Sequence, residues 1–207
     1  MEFTELIYFI AAAALLTMAP GPDIMYLLTK SLADGARQGI ALAAGLCSGL
    51  AFHTALVMAG VAALIQSSPD LFRMLKYVGA AYLIYLAYLA FREKDAPAAP
   101  GEADSCRDPG KLYRRGAFMN MTNPKVLLFF LAFLPQFIHT GMPLSPAAQT
   151  GILGLIFALQ AFCIFSLVAV GAGQIRNHLL HAENLPLILG WVQTGVLLSI
   201  AAALLFF

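Results

Sequence analysis

Apolar residues run along this chain in long blocks, separated by short polar links. The blocks extend from about Leu6 to Leu28, Ile40 to Ile65, Leu71 to Phe91, Gly116 to Leu134, Ala147 to Gly171 and Leu187 to Phe207. Several approach or exceed the roughly 20 residues that carry an α-helix across a bilayer. Short alternating strands, the pattern of a transmembrane barrel, are absent from the sequence. The pattern predicts an all-α, polytopic membrane protein with six spans.

Two of the six blocks are interrupted. The first is broken by Thr17-Met18-Ala19-Pro20-Gly21-Pro22-Asp23, with apolar sequence on both sides. Pro22 lacks a backbone donor and Pro20 constrains its neighbour, so one continuous hydrogen-bond ladder is not expected there. The fourth block holds Asn120-Met121-Thr122-Asn123-Pro124-Lys125, and then Pro135-Gln136-Phe137. The breaks therefore fall in the first span of each three-span half. Halves with an odd number of spans are inverted relative to one another, and paired interruptions point to a transport site at a repeat interface. The expected architecture is two inverted three-helix repeats with helices one and four broken. The halves are residues 1–91 and 116–207, joined by a hydrophilic connector over 92–115 within a single transmembrane domain.

Composition agrees with this reading. Of 207 residues, 60% are hydrophobic and 11% charged, against about a quarter charged in ordinary soluble domains. The mean hydropathy is +0.80. Glu2 and Glu5 make the start acidic, which argues for a retained first span over a cleaved signal peptide. Basic residues cluster in alternate links: Lys30 and Arg37 in the first, Arg92, Lys94, Arg107, Lys111, Arg114 and Arg115 in the third, Arg176 in the fifth. Links 66–70 and 139–146 have no Lys or Arg, although Arg73 and Lys76 follow the former closely. The positive-inside rule then puts links one, three and five in the cytoplasm and both termini outside. The few basic residues mostly flank spans and form no nucleic-acid surface.

The candidate chemistry sits at the breaks. Asp23 is the acidic residue of the apolar core, and a buried carboxylate is costly unless paired, hydrogen-bonded or protonated. It suits binding a substrate ammonium or carrying a proton; as a helix-start residue it also suits capping free amides. Lys125 stands in the matching place after Pro124. It suits attracting a carboxylate, pairing with Asp23, or snorkelling to the interface from near Arg114 and Arg115. Asn120 and Asn123 add neutral donors and acceptors. The substrate-binding candidates are thus Pro20, Gly21, Pro22, Asp23, Asn120, Asn123, Pro124 and Lys125, and the proton-coupling or gating candidates are Asp23, His53, Tyr82 and Gln160. Gly45, Gly49 and His53 lie four apart, so His53 shares a face with small residues that permits close helix packing, and an inter-helix hydrogen bond is its simpler role. Tyr82 and Gln160 are open to plain packing roles.

Enzyme chemistry finds little support. No Ser–His–carboxylate pattern, phosphate loop or His-x-x-x-His metal motif is present. His178, His181 and Glu183 share one polar link, read as solvated in preference to metal-binding. Cys47, Cys106 and Cys163 have no metal spacing. No cofactor, catalytic residue or metal ligand is expected.

Several motifs together narrow the class. They are Pro20-Gly21-Pro22-Asp23, the loop Asp34-Gly35-Ala36-Arg37-Gln38-Gly39, the run Gly45 to His53, and Leu75 to Leu83. The second half adds Arg115-Gly116-Ala117-Phe118, Asn123-Pro124-Lys125 and Phe130 to Phe137. With these the chain resembles the bacterial lysine-exporter family and its homoserine/threonine-resistance branch over nearly its whole length. The resemblance implies a bacterial cytoplasmic-membrane exporter of amino acids or their derivatives, driven by the proton gradient and not by ATP. It also implies a symmetric helical transporter fold, a capacity to form homodimers, and partners limited to substrate, protons and membrane lipid. The Asp/Asn choice within the first motif favours shaping of the substrate site over proton transfer as the role of Asp23. Three alternatives are separable by experiment: an exporter of another small metabolite would move that solute uphill and no amino acid, a channel-like facilitator would give downhill flux only, and a non-transporting membrane interaction protein would give none.

Overall fold

The protein is described from a computed structural model covering residues 3–19, 21–67, 69–93, 106–139, 141–174 and 185–206. Among these residues all regular structure is helical: α1 (Phe3–Met18), α2 (Pro22–Asp34), α3 (Ala36–Ser67), α4 (Pro69–Glu93), α5 (Pro109–Met121), α6 (Pro124–Leu128), α7 (Pro146–Gln174) and α8 (Leu185–Phe206). Between α6 and α7 the chain runs through a π-helical segment, Phe129–Phe133, and a 3-10 turn, Leu134–Phe137. Both expected breaks are present. α1 and α2 meet at 60°, and α5 meets the Pro124–Phe137 segment at 50°.

Three stretches are long and apolar enough to cross a membrane unaided: Ala36–Gly60, Arg73–Arg92 and Pro146–Ala172. Each bent pair, counted as one broken span, is long and apolar enough to add one more. The 22 residues of α8 give a helix about 33 Å long, which matches the sixth block. Leu155, Leu159 and Leu167 of α7 are mostly exposed. In water they would form an unfavourable apolar face; in lipid tails they meet a matching solvent.

The first half of span four differs from expectation. Its helix begins at Pro109, well before Gly116, so Lys111, Arg114 and Arg115 of the connector already lie on α5. Asp108 explains the early start: its side chain accepts a hydrogen bond from Gly110 N at 2.9 Å, and Pro109 takes the first helical position. At the other end of this span, Pro135 is accommodated inside the 3-10 turn, with no sharp stop. The His178, His181 and Glu183 group lies outside the described residues.

Small residues decide how the helices meet. A Cβ on Gly45 would overlap the carbonyl oxygen of Tyr113, and one on Gly116 would fall 2.5 Å from Leu42 O. A Cβ on Gly49 would come within 2.7 Å of Asn120 Cβ. α3 and α5 are therefore in backbone contact, a mode that bilayer proteins use because apolar burial drives little association there. On its other side α3 receives α7, where a Cβ on Gly154 would overlap the Thr54 side chain. α4 packs on α8: Phe91 and Trp191 meet edge to face at 5.3 Å, and Thr194 Oγ1 donates to Ala87 O at 3.4 Å. Gly35, at φ +93°, joins α2 directly to α3 in a conformation favoured for glycine. Beside it Asp34 pairs with buried Lys30 at 2.6 Å and accepts from Arg107 Nε at 2.9 Å, tying the connector to the first half.

Candidate functional site

The two breaks face each other. Gly21 caps α2 in extended conformation, Pro22 opens the helix, and Asp23 follows in its first turn. In the second half Asn123 caps α6: its Oδ1 accepts from Lys125 N at 3.1 Å, and Pro124 opens the helix. Both acid and base are nearly excluded from solvent, Asp23 at 3% exposure and Lys125 at 5%. The Lys125 ammonium lies 3.7 Å from Asp23 Oδ1. It also donates to Ala19 O at 3.1 Å and Leu16 O at 3.4 Å.

These carbonyls explain why the lysine rests there. A helix end leaves its last C=O groups without intrahelical partners, and Leu16, Thr17 and Ala19 at the end of α1 are buried, although Met18 is exposed. The macrodipole makes that end partly negative. Lys125 reaches across from the other half and satisfies it. Gly21 permits the approach: a Cβ there would stand 3.1 Å from Lys125 Nζ and 3.0 Å from Asp23 Oδ1. Snorkelling, one reading of Lys125 from sequence, does not describe this geometry.

Leu16, Thr17, Asp23, Asn120, Lys125 and Phe157 are among the residues around a cavity of about 10 Å³. That is close to one water molecule in size, too small for an amino acid. The remaining walls, Leu50, Val126, Ala161 and Phe165, are apolar. Four polar atoms close to the breaks are buried without hydrogen-bond partners: Asp23 Oδ1, Asn120 Oδ1, Asn123 Nδ2 and His53 Nδ1. Unpaired polar atoms are costly in such an interior, and here they include both acceptors and a donor.

His53 is fully buried on α3, and its Nε2 lies 3.0 Å from Asn120 O. A carbonyl only accepts, so Nε2 carries the hydrogen. His53 thus fixes the C-terminal part of α5 behind the cavity and is not in its lining. The π-helical segment packs next to it, with Phe130 5.7 Å from the imidazole and stacked on Phe157 at 5.3 Å. Gln160 faces α1, where its Nε2 donates to Ile10 O at 3.0 Å. Tyr82 is half-buried on α4 beside Tyr85. Neither lines the cavity. Pro20 lies outside the described residues. Sequence reasoning did not name the α1 carbonyls or the apolar wall from α3 and α7. A broken helix does signal orphaned carbonyls, but no residue type marks which lysine will reach them.

A larger cavity, about 420 Å³, lies between α1, the Phe133–Phe137 region and α8. Its lining holds the carboxylate Glu5 and no lysine or arginine, so it does not offer both signs of charge to a zwitterion. Glu5 pairs with His139 Nε2 at 2.9 Å.

Paired broken spans around a buried acid–base pair define a helical membrane transporter. The chain belongs to the family of LysE type translocators, whose model matches residues 14–206. It is 30% identical over 184 residues to a leucine efflux protein of Klebsiella pneumoniae, covering 86% of this chain and 84% of that protein. To the leucine efflux proteins of Salmonella choleraesuis and Salmonella typhimurium it is 28% identical over 171 residues, covering 83% of this chain and 80% of theirs. No solved structure matches it.

Proposed function

We propose that this protein exports an α-amino acid, with leucine and similar aliphatic residues as the first substrates to test. The observation that carries the reading is the buried Asp23–Lys125 pair joining the two helix breaks. A zwitterion brings one ammonium and one carboxylate, so it can exchange partners with such a pair while the site stays neutral overall. That matters in a low-dielectric interior, where a net charge is expensive. Asp23 and the α1 carbonyls suit the ammonium. Asn123 Nδ2, buried without a partner, suits the carboxylate. Leu50, Val126, Phe157 and Phe165 suit an aliphatic side chain. The names of the relatives point the same way.

The mechanism we read is alternating access coupled to inward proton movement. The halves 1–91 and 116–207 rearrange about the breaks, and the 92–115 connector links them. Of the coupling candidates Asp23, His53, Tyr82 and Gln160, Asp23 lines the cavity. We place the protein in the bacterial cytoplasmic membrane with both termini outside, from the charge of the links; the family resemblance is what suggests homodimers.

Vesicles loaded with labelled amino acids test the transport reading. An acid-outside gradient is expected to drive leucine out against its concentration gradient. Downhill flux alone would indicate a facilitator, and no flux across a broad amino-acid panel would overturn the reading. For orientation, terminal tags are expected to be cut by protease added outside intact cells. Protection of both tags would reject the outside placement.

A further inference from the structure

We infer that the Lys125 ammonium is a tethered stand-in for the substrate ammonium, occupying its subsite in the empty carrier. The inference rests on the amino-acid export reading above and names the subsite: Leu16 O, Ala19 O and the carboxylate of Asp23.

Three observations support it. The acceptors around Lys125 Nζ are two helix-end carbonyls at 3.4 and 3.1 Å and a carboxylate oxygen at 3.7 Å. A free α-ammonium carries the same three N–H donors on a tetrahedral nitrogen and fits the same set. Asp23 Oδ1 is buried yet lacks a hydrogen bond, so the lysine fills the subsite incompletely. Finally, about 10 Å³ of space beside the pair admits no second ammonium. Like charges also repel there, so lysine and substrate exclude one another from the subsite.

Lys125 is anchored in the second half and its acceptors lie in the first. In the empty carrier this side chain therefore bridges the halves and compensates Asp23. In the loaded carrier the substrate ammonium takes over both tasks, and the flexible stem of lysine lets its ammonium leave these acceptors while it stays within the site, which keeps the site neutral overall. Asn123 Nδ2, buried without a partner, remains for the substrate carboxylate. The consequence is specific. Lysine matters most when the carrier returns empty and less when both directions are made with substrate bound.

Lys125→Ala tests this through two transport modes. Net leucine efflux is expected to fall roughly tenfold or more, the scale set by losing a buried charged contact. Exchange of internal labelled leucine for external unlabelled leucine is expected to fall several-fold less than net efflux does. n-Propylammonium, which replaces the atoms removed beyond Cβ, is expected to restore net efflux. The same amine should raise the melting temperature of purified Lys125→Ala protein, but not that of wild type or of Asp23→Asn/Lys125→Ala. Equal loss of net efflux and exchange, or no response to n-propylammonium in either assay, would overturn the inference. A wild-type protein that moves no amino acid, with Lys125→Ala still stabilised by the amine, would reject the export reading and retain the ammonium subsite.

Discussion

Asp23→Ala is expected to abolish both net efflux and exchange, and to cost about 3–5 kcal/mol of stability, the usual penalty for breaking a buried ion pair from one side. The variant leaves the Lys125 ammonium at 5% exposure with two carbonyls and no counter-charge. Asp23→Ala/Lys125→Met removes the stranded charge and should recover most of the stability without recovering transport. Thermal unfolding in detergent, alongside flux in vesicles, separates the two losses. A single variant as stable as wild type, or a double variant no better than the single, would show that the pair is not energetically coupled. The contrast with Lys125→Ala is the informative part. Asp23 faces an ammonium in every state of the proposed cycle, first that of lysine and then that of the substrate. Its loss should therefore spare neither mode of transport.

The sequence made the breaks legible because proline acts locally. Pro22 and Pro124 each open a new helix just after a cap residue, Gly21 or Asn123, and no tertiary contact is needed to predict it. The packed face of α3 was legible for a similar reason: Gly45, Gly49 and His53 repeat every four residues, and such a face invites a close neighbour. What the sequence left open was the neighbour's identity. Gly45 proves to meet Tyr113, and His53 meets Asn120, contacts made 68 and 67 residues away along the chain. Lys125 shows the same limit at the site. Its side chain suits an interface, a carboxylate or Asp23 equally well when only composition is known. The choice is made by carbonyls of α1, which every residue type carries alike. The early start of α5 was missed for a different reason. By composition the charged residues match a connector, whereas Asp108 and Pro109 make a good helix start even with Lys111, Arg114 and Arg115 in the first turns.

Gly45→Leu is expected to prevent accumulation of folded protein, and Gly116→Leu to do the same from the opposite side. The Cβ alone, before any further atoms, overlaps Tyr113 O in the first case and lies 2.5 Å from Leu42 O in the second. Those obstacles are helical backbone, so relief requires α3 and α5 to separate as bodies. The cost should exceed the about 1–3 kcal/mol typical of overpacking by side chains that can turn aside. Gly195→Ala is the matched control. No atom lies within 4 Å of its added Cβ, and alanine in a helix is favoured over glycine by about 1 kcal/mol, so stability should hold or rise. Fluorescence-detected size exclusion of tagged variants would read these outcomes; monodisperse Gly45→Leu at wild-type yield would contradict the backbone contact. Gly49→Ala then connects packing to function. Its Cβ comes within 2.7 Å of Asn120 Cβ and 2.9 Å of Ala117 O, a smaller overlap than at Gly45. A protein that folds by easing α5 outward must shift Asn120, which both lines the cavity and holds His53. Export should therefore fall in that variant more than stability does.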